Sequence, residues 1–169
     1  MKAVLTSEAF LSARVGEEWG RVVGAWVGAE LELGVPLTSS SLEAIPAFPG
    51  EQVEMDYSFE AKRFVPCTRG GVERRCVELE LKSVPDPEAM KRVISTFMSR
   101  AMKDLGGDEL GAAIRGMDIE TGLTLITEPD GLLPHSFTWT KTIRVTALAA
   151  GQESSMEQID TTRASFTWK

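Results

Sequence analysis

Apolar residues recur along this chain at two spacings, and the change from one to the other marks out its elements. Between Asp86 and Leu105 the spacing is helical. Met90, Val93, Ile94, Phe97, Met98, Ala101, Met102 and Leu105 follow the i, i+3, i+4, i+7 progression of one face, while Lys91, Arg92, Ser95, Ser99, Arg100 and Lys103 take the other. Asp86 is placed to accept from the free N–H groups of the first turn, and Pro87 sits where its missing N–H costs nothing. Gly106-Gly107 stops the helix, with Lys103 near the negative end of its dipole. A rod of this length, about 30 Å, crosses a small domain and needs an apolar surface of similar extent.

Elsewhere the spacing is two. Val53 to Val65 reads as a strand with Val53, Met55, Tyr57, Phe59, Ala61 and Val65 on one face, interrupted by Arg63. Pro66 to Arg75 reads as a loop with Gly70-Gly71 at its tip, and Val77, Leu79 and Leu81 mark the return strand. Ala113 to Thr127 suggests a tight hairpin turning at Glu120-Thr121-Gly122. In the next strand Phe137, Trp139, Ile143, Val145 and Ala147 share a face, with Lys141 the exception. After a turn at Gly151 to Ser155, the last strand runs from Met156 to Trp168. Nearer the start, Ala9 to Val15 and Arg21 to Leu33 both alternate. Three internal glycines favour strand for the second over the rival helix from Glu17 to Leu33. Pro36, Pro46 and Pro49 make Val35 to Gly50 a loop, with a single capped turn from Thr38 to Ile45 as its regular part. The sum is one α+β domain over residues 1–169: a twisted antiparallel meander of six to eight strands, half-barrel in its curled form, packed on one long amphipathic helix.

Composition narrows the class. A chain of 169 residues, 43% hydrophobic, builds its core without metal or dense disulfides. A net charge of −7 argues against nucleic acid as partner, since phosphate is neutralised by Lys and Arg. No stretch is long and apolar enough to span a bilayer, and Glu8 and Arg14 interrupt any leader-like run. The location stays open: periplasmic or cell-envelope if a leader was removed, otherwise cytoplasmic.

Candidate chemistry is sparse. His135 is the one histidine, and neither Ser136 nor Asp130 or Asp118 stands with it in a recognisable triad pattern, so it reads as an exposed turn residue after Pro134. With a single histidine, Cys67 and Cys76 supply too few ligands for a zinc site of the Cys and His type, and no cofactor is implied. The two cysteines are either free or bridged across the Arg-rich loop. Matching the apolar faces of the flanking strands puts them on opposite sides of an ideal hairpin, so a bridge requires a bulge or a ladder that ends by Pro66. Arg69, Arg74 and Arg75 read as a solvated tip balanced by Glu73 and Glu78, with an anion patch as the sharper alternative. Glu30/Glu32 and Glu78/Glu80 read as outward solubilising pairs. Met90, Phe97, Met98 and Met102 on the helix, and Tyr57, Phe59, Phe137, Trp139, Phe166 and Trp168 on strands, are either core or the lining of an apolar ligand site between helix and sheet.

The Ile45-Pro46-Ala47-Phe48-Pro49 segment before a strand, the Asp118-Ile119-Glu120-Thr121-Gly122-Leu123 run and the Thr-rich closing strands resemble bacterial exported proteins and lipoproteins. The D-x-x-T-G-L element is similar to one in lipoprotein carriers of the LolA type. That resemblance implies a curled half-barrel with an apolar hollow for acyl chains, and it transfers no catalytic residue. The chain departs from the pattern in having no visible leader or lipobox cysteine and one long helix where the carriers have more. The expected function is non-enzymatic: holding an apolar or lipid-like ligand, or else meeting a protein partner through the sheet. The alternative is a small hydrolase or isomerase using a buried carboxylate, for which Asp118 and Asp160 are the residues to inspect.

Overall fold

The computed structural model describes the backbone of residues 16, 19–20, 22–44, 50–105, 114–149 and 152–168, and the side chains of these except 97–105, 114 and 149. Ala9 to Val15 and the Ile45–Pro49 segment lie outside the described residues. Within them the strands are β1 (Leu37–Ala44), β2 (Gln52–Arg69), β3 (Val72–Pro85), β4 (Ile114–Thr127), β5 (Pro134–Ala149) and β6 (Gln152–Ser165), with helix α1 (Pro87–Leu105) between β3 and β4. The six strands form one antiparallel sheet in chain order, open at β1 and β6.

Local chemistry explains the joints. β2 and β3 meet through Gly70 and Gly71 alone, at φ 57° and 77°, the left-handed pair that a two-residue hairpin needs. The ladder runs to the tip because nothing before it forbids pairing, so the loop expected from Pro66 to Arg75 is strand on both sides. Pro66 sits opposite Arg75. Asp86 caps α1 by accepting from Ala89 N–H at 2.6 Å, and its own N–H donates to the Glu54 carbonyl at 2.7 Å, pinning the helix start to β2. Over residues 87–96, where side chains are described, Met90, Val93 and Ile94 are buried and Lys91 and Arg92 exposed. Phe97, Met98 and Met102 fall beyond that stretch. The amphipathic pattern is thus described over residues 87–96, and α1 lies against β2 and β4.

The core belongs to a different segment. Val22, Val23 and Trp26 are buried with Ala61, Val77, Leu79, Leu123, Leu125 and Phe137. The strand expected from Arg21 to Leu33 is absent: Gly24–Trp26 is a 3-10 turn, and the chain beyond it docks on the sheet through a bridge between Leu33 and Ala61 and a bond from Gly34 N–H to the Ala61 carbonyl at 2.8 Å. The glycines that weighed against helix serve a compact turn that delivers one large ring. Trp26 donates from Nε1 to the Val22 carbonyl at 3.0 Å and meets Phe59 edge to face at 5.7 Å, so its N–H is satisfied while its ring is buried.

Two further expectations are corrected. Leu37–Ala44 is a strand, not loop, because β2 offers it a full ladder from Phe59 to Gln52. Glu120-Thr121-Gly122 does not turn: β4 is continuous, with β5 paired along it and β3 paired beside its second half, so Gly122 lies in the ladder between Lys82 and Thr140. The final strand begins at Gln152, inside the turn expected to run to Ser155.

A bulge between Ala61 and Arg63 resolves the Arg63 irregularity. Up to Ala61 the odd residues face the core. Beyond it Phe64 stands opposite Val77 on that side, and Lys62 and Arg63 both reach the polar face. There Glu60 lies directly opposite Glu80, a like-charge pair that is unfavourable alone. Lys62 answers it, with Nζ at 2.9 Å from Glu60 and 3.1 Å from Glu80, while Lys82 meets Glu80 at 3.1 Å. Burial pushes the Glu80 carboxyl up, but the bonds from Lys62 and Lys82 outweigh it and hold the group below its ordinary value.

Candidate functional site

Where the docked segment leaves the sheet it roofs a pocket of about 310 Å³. Trp26, Ala29, Leu31 and Leu33 line it from the segment, Ala61 and Phe64 from β2, Val77 and Leu79 from β3, and Pro129 and Leu132 from the β4–β5 connection. Every lining residue is apolar. Leu132 holds φ at 50°, a conformation unfavourable for a branched side chain and maintained by bonds from Leu132 N–H to the Glu128 carbonyl (3.0 Å) and from Glu128 N–H to the Leu133 carbonyl (3.1 Å). Leu33 and Phe64 are exposed at the rim, where the Arg75 guanidinium covers the Phe64 ring at 3.6 Å. The pocket suits a small apolar group and offers no charged recognition.

On the opposite face, at the same end of the sheet, lies a polar cluster. The β2 bulge brings Cys67 to the side of Cys76: Cys67 stands opposite Arg74, and Cys76 opposite Val65. The two are joined by a disulfide with Cα atoms 5.8 Å apart. This is the bulged geometry that a bridge required. A second irregularity, between Ile126 and Thr127, leaves His135 unmatched in the β4–β5 ladder. A ring nitrogen of His135 and the two sulfurs all lie within 4.8 Å of one another. His135 is 8% exposed, not the exposed turn residue expected, and its Nε2 is 3.2 Å from Glu128 Oε1. Glu128 also meets Arg69 at 3.4 Å. The C-terminal run closes over this end: Phe166 N–H donates to the His135 carbonyl at 2.8 Å, Trp168 Nε1 to the Pro134 carbonyl at 2.7 Å, and Gly70 N–H to the Trp168 carbonyl at 2.9 Å.

A shallower polar groove of about 560 Å³ lies over β1 and β2, lined by Ser40, Asp56, Tyr57 and Lys82 among others. Tyr57 donates its hydroxyl to Glu43 of β1, which also accepts from Ser41 at 3.2 Å. Burial first, then the bond to and charge of Glu43, push the phenol up to about 12.

The residues expected to line a ligand site are dispersed. Met90 is buried at the start of α1. Phe59 is half-buried beside Trp26, and Phe137 belongs to the core. Phe137, Phe166 and Trp168 form a run of rings 6.2 Å apart, and Trp139 is packed at the margin of the core. Tyr57 alone of the set lines a groove described here, and it is the polar one. Asp118 and Asp160 are both exposed, so neither is the inward carboxylate that acid–base chemistry needs. Of the three arginines, Arg69 serves Glu128 and Arg75 covers Phe64, which spreads the cationic patch over two faces. Glu78 pairs with Arg63 at 2.9 Å rather than with the tip. Of the pocket residues, Leu31 and Leu33 belonged to an alternation that pointed to a strand, and Pro129 and Leu132 carried no periodic signal. The available clue was the cluster of apolar residues around Trp26 in a glycine-interrupted stretch. No family model, curated protein or solved structure matches this chain.

Proposed function

We propose that the protein is a non-enzymatic binding module whose pocket under residues 26–33 takes an apolar ligand. The observation that carries this is a concavity of about 310 Å³ lined wholly by apolar side chains, at the lower end of the size of small-molecule sites. The strained Leu132 at its wall supports the same reading, since such backbone is retained where surroundings over-determine it. The resemblance to LolA-type carriers points to a lipid or acyl chain, with the sheet curved as a half-barrel around it. In that case the pocket holds a chain end, with the rest lying over Phe64 and Leu33. The ligand site is then formed by the N-terminal segment and the sheet, not by α1.

The test is native mass spectrometry of the purified protein, followed by organic extraction and titration with an environment-sensitive apolar probe. One saturable probe site per chain, weakened at least tenfold by Leu33→Glu and unaffected by Leu42→Glu on β1, supports the proposal. Absence of a saturable site, or equal loss in both variants, overturns it.

A second reading rests on β1. Its eight residues are all exposed and its outer edge is the sheet's own, with Glu43 as its one charge. Such an edge suits strand addition by a protein partner. Protection of the β1 amides on mixing with a partner peptide would favour it.

A further inference from the structure

A disulfide that serves only to staple a hairpin needs no histidine and no carboxylate. Here Cys67 and Cys76 have both. Two separate ladder irregularities, one in β2 and one between β4 and β5, place the two sulfurs and an imidazole nitrogen within 4.8 Å of one another. The imidazole is buried, and Glu128 sits on its Nε2 at 3.2 Å. A carboxylate on one ring nitrogen fixes the tautomer, orients the ring and leaves the other lone pair for a cation. Two sulfurs and one imidazole are the protein ligand set of an open zinc-type site, with the fourth position left to water.

We propose that the reduced form of this cluster is a divalent-metal site of zinc type, with Cys67, Cys76 and His135 as ligands and Glu128 positioning the histidine. The chemistry balances with a dithiol as reductant. Two electrons and two protons pass from the dithiol to the bridge, the S–S bond breaks, and the reductant leaves as its own disulfide. The cation then replaces the two thiol protons, which go to solvent. One M²⁺ with two thiolates and a neutral imidazole carries no net charge, which suits a site made largely of buried groups. Oxidation reverses the exchange and expels the cation. The cluster thus couples metal occupancy to thiol redox state, independently of the apolar pocket on the other face.

The test uses Co²⁺ as probe. Protein reduced anaerobically with a phosphine and freed of reductant should take up one Co²⁺ per chain, with a thiolate-to-cobalt charge-transfer band and the visible bands of tetrahedral cobalt. Zn²⁺ should displace it, and oxidised protein should show neither band. Cys67→Ser, at a half-exposed position, should lower the charge-transfer band and weaken binding at least tenfold. Glu128→Gln should weaken it by about 10–100-fold with the band retained, as expected for loss of a partner to a ligating histidine. Circular dichroism follows the fold throughout. Reduced wild type that unfolds, that shows no thiolate band, or that binds Co²⁺ as tightly with Cys67→Ser as without it, overturns the proposal.

Discussion

β4 and β6 lie on either side of β5 in one sheet, yet they experience different environments. Leu125 on β4 is 0% exposed, while Met156 on β6, opposite Val145 and on the same side of the sheet, is 59% exposed. β4 is laddered to β3 and β5, whereas β6 is an edge strand laddered to β5 alone. Their apolar side chains differ because the segment carrying Trp26 covers the middle strands and does not reach the edge. β1 repeats the lesson at the other margin, where Leu37, opposite Phe59, is 48% exposed. In a meander, alternation says which side of a strand is apolar. The covering element decides which part of that side becomes core.

The largest effect is expected at the covering segment. Trp26→Ala should destabilise by about 3–5 kcal/mol in denaturant melts, the usual range for a buried aromatic truncation. Leu125→Ala, beneath it, should cost about 2–5 kcal/mol by the same measure. Next comes the bridge at the hairpin tip: replacing both cysteines by alanine should cost about 2–3 kcal/mol for a closed loop this short, read as a lower denaturation midpoint. At the edge, Met156→Ala and Ile159→Ala should each stay within about 0.5 kcal/mol of wild type.

The smallest effect sharpens the β1 side. Tyr57 is the chain's one tyrosine, so its phenolate is read directly by ultraviolet titration. Its midpoint should lie near 12 and fall towards the ordinary value in Glu43→Gln. Because the folded value is raised above the usual 10.0, the contribution to stability is full below that pH and is lost as pH climbs towards 12. A midpoint at the ordinary value in wild type would show that Glu43 does not engage Tyr57.

The strands at Val53–Val65 and Phe137–Ala147 were legible because alternation survives wherever one face is buried. The cap at Asp86 was legible because it is local chemistry. The Arg63 exception was a bulge in disguise: two consecutive polar residues at 62 and 63 shift the face by one, and the same shift decides that Cys67 and Cys76 meet. The β4 strand was hidden because Gly122 in a turn-like triplet is tolerated once ladders on either side hold it. The Trp26 segment was hidden because its apolar residues serve a docking turn whose partner is a surface far away in sequence. The pocket followed it out of sight, since a cavity between a turn and a sheet has no period.

The Trp26 segment, packed on residues of β2, β3, β4 and β5, seals the middle of the sheet. Amide hydrogen exchange measured by mass spectrometry on wild type and Trp26→Ala tests this most directly. In wild type, peptides covering Val77–Leu81 and Leu123–Thr127 should exchange far more slowly than those covering Gln152–Asp160, and in Trp26→Ala that difference should collapse. Retention of the full wild-type protection in β3 and β4 of the variant would contradict the claim.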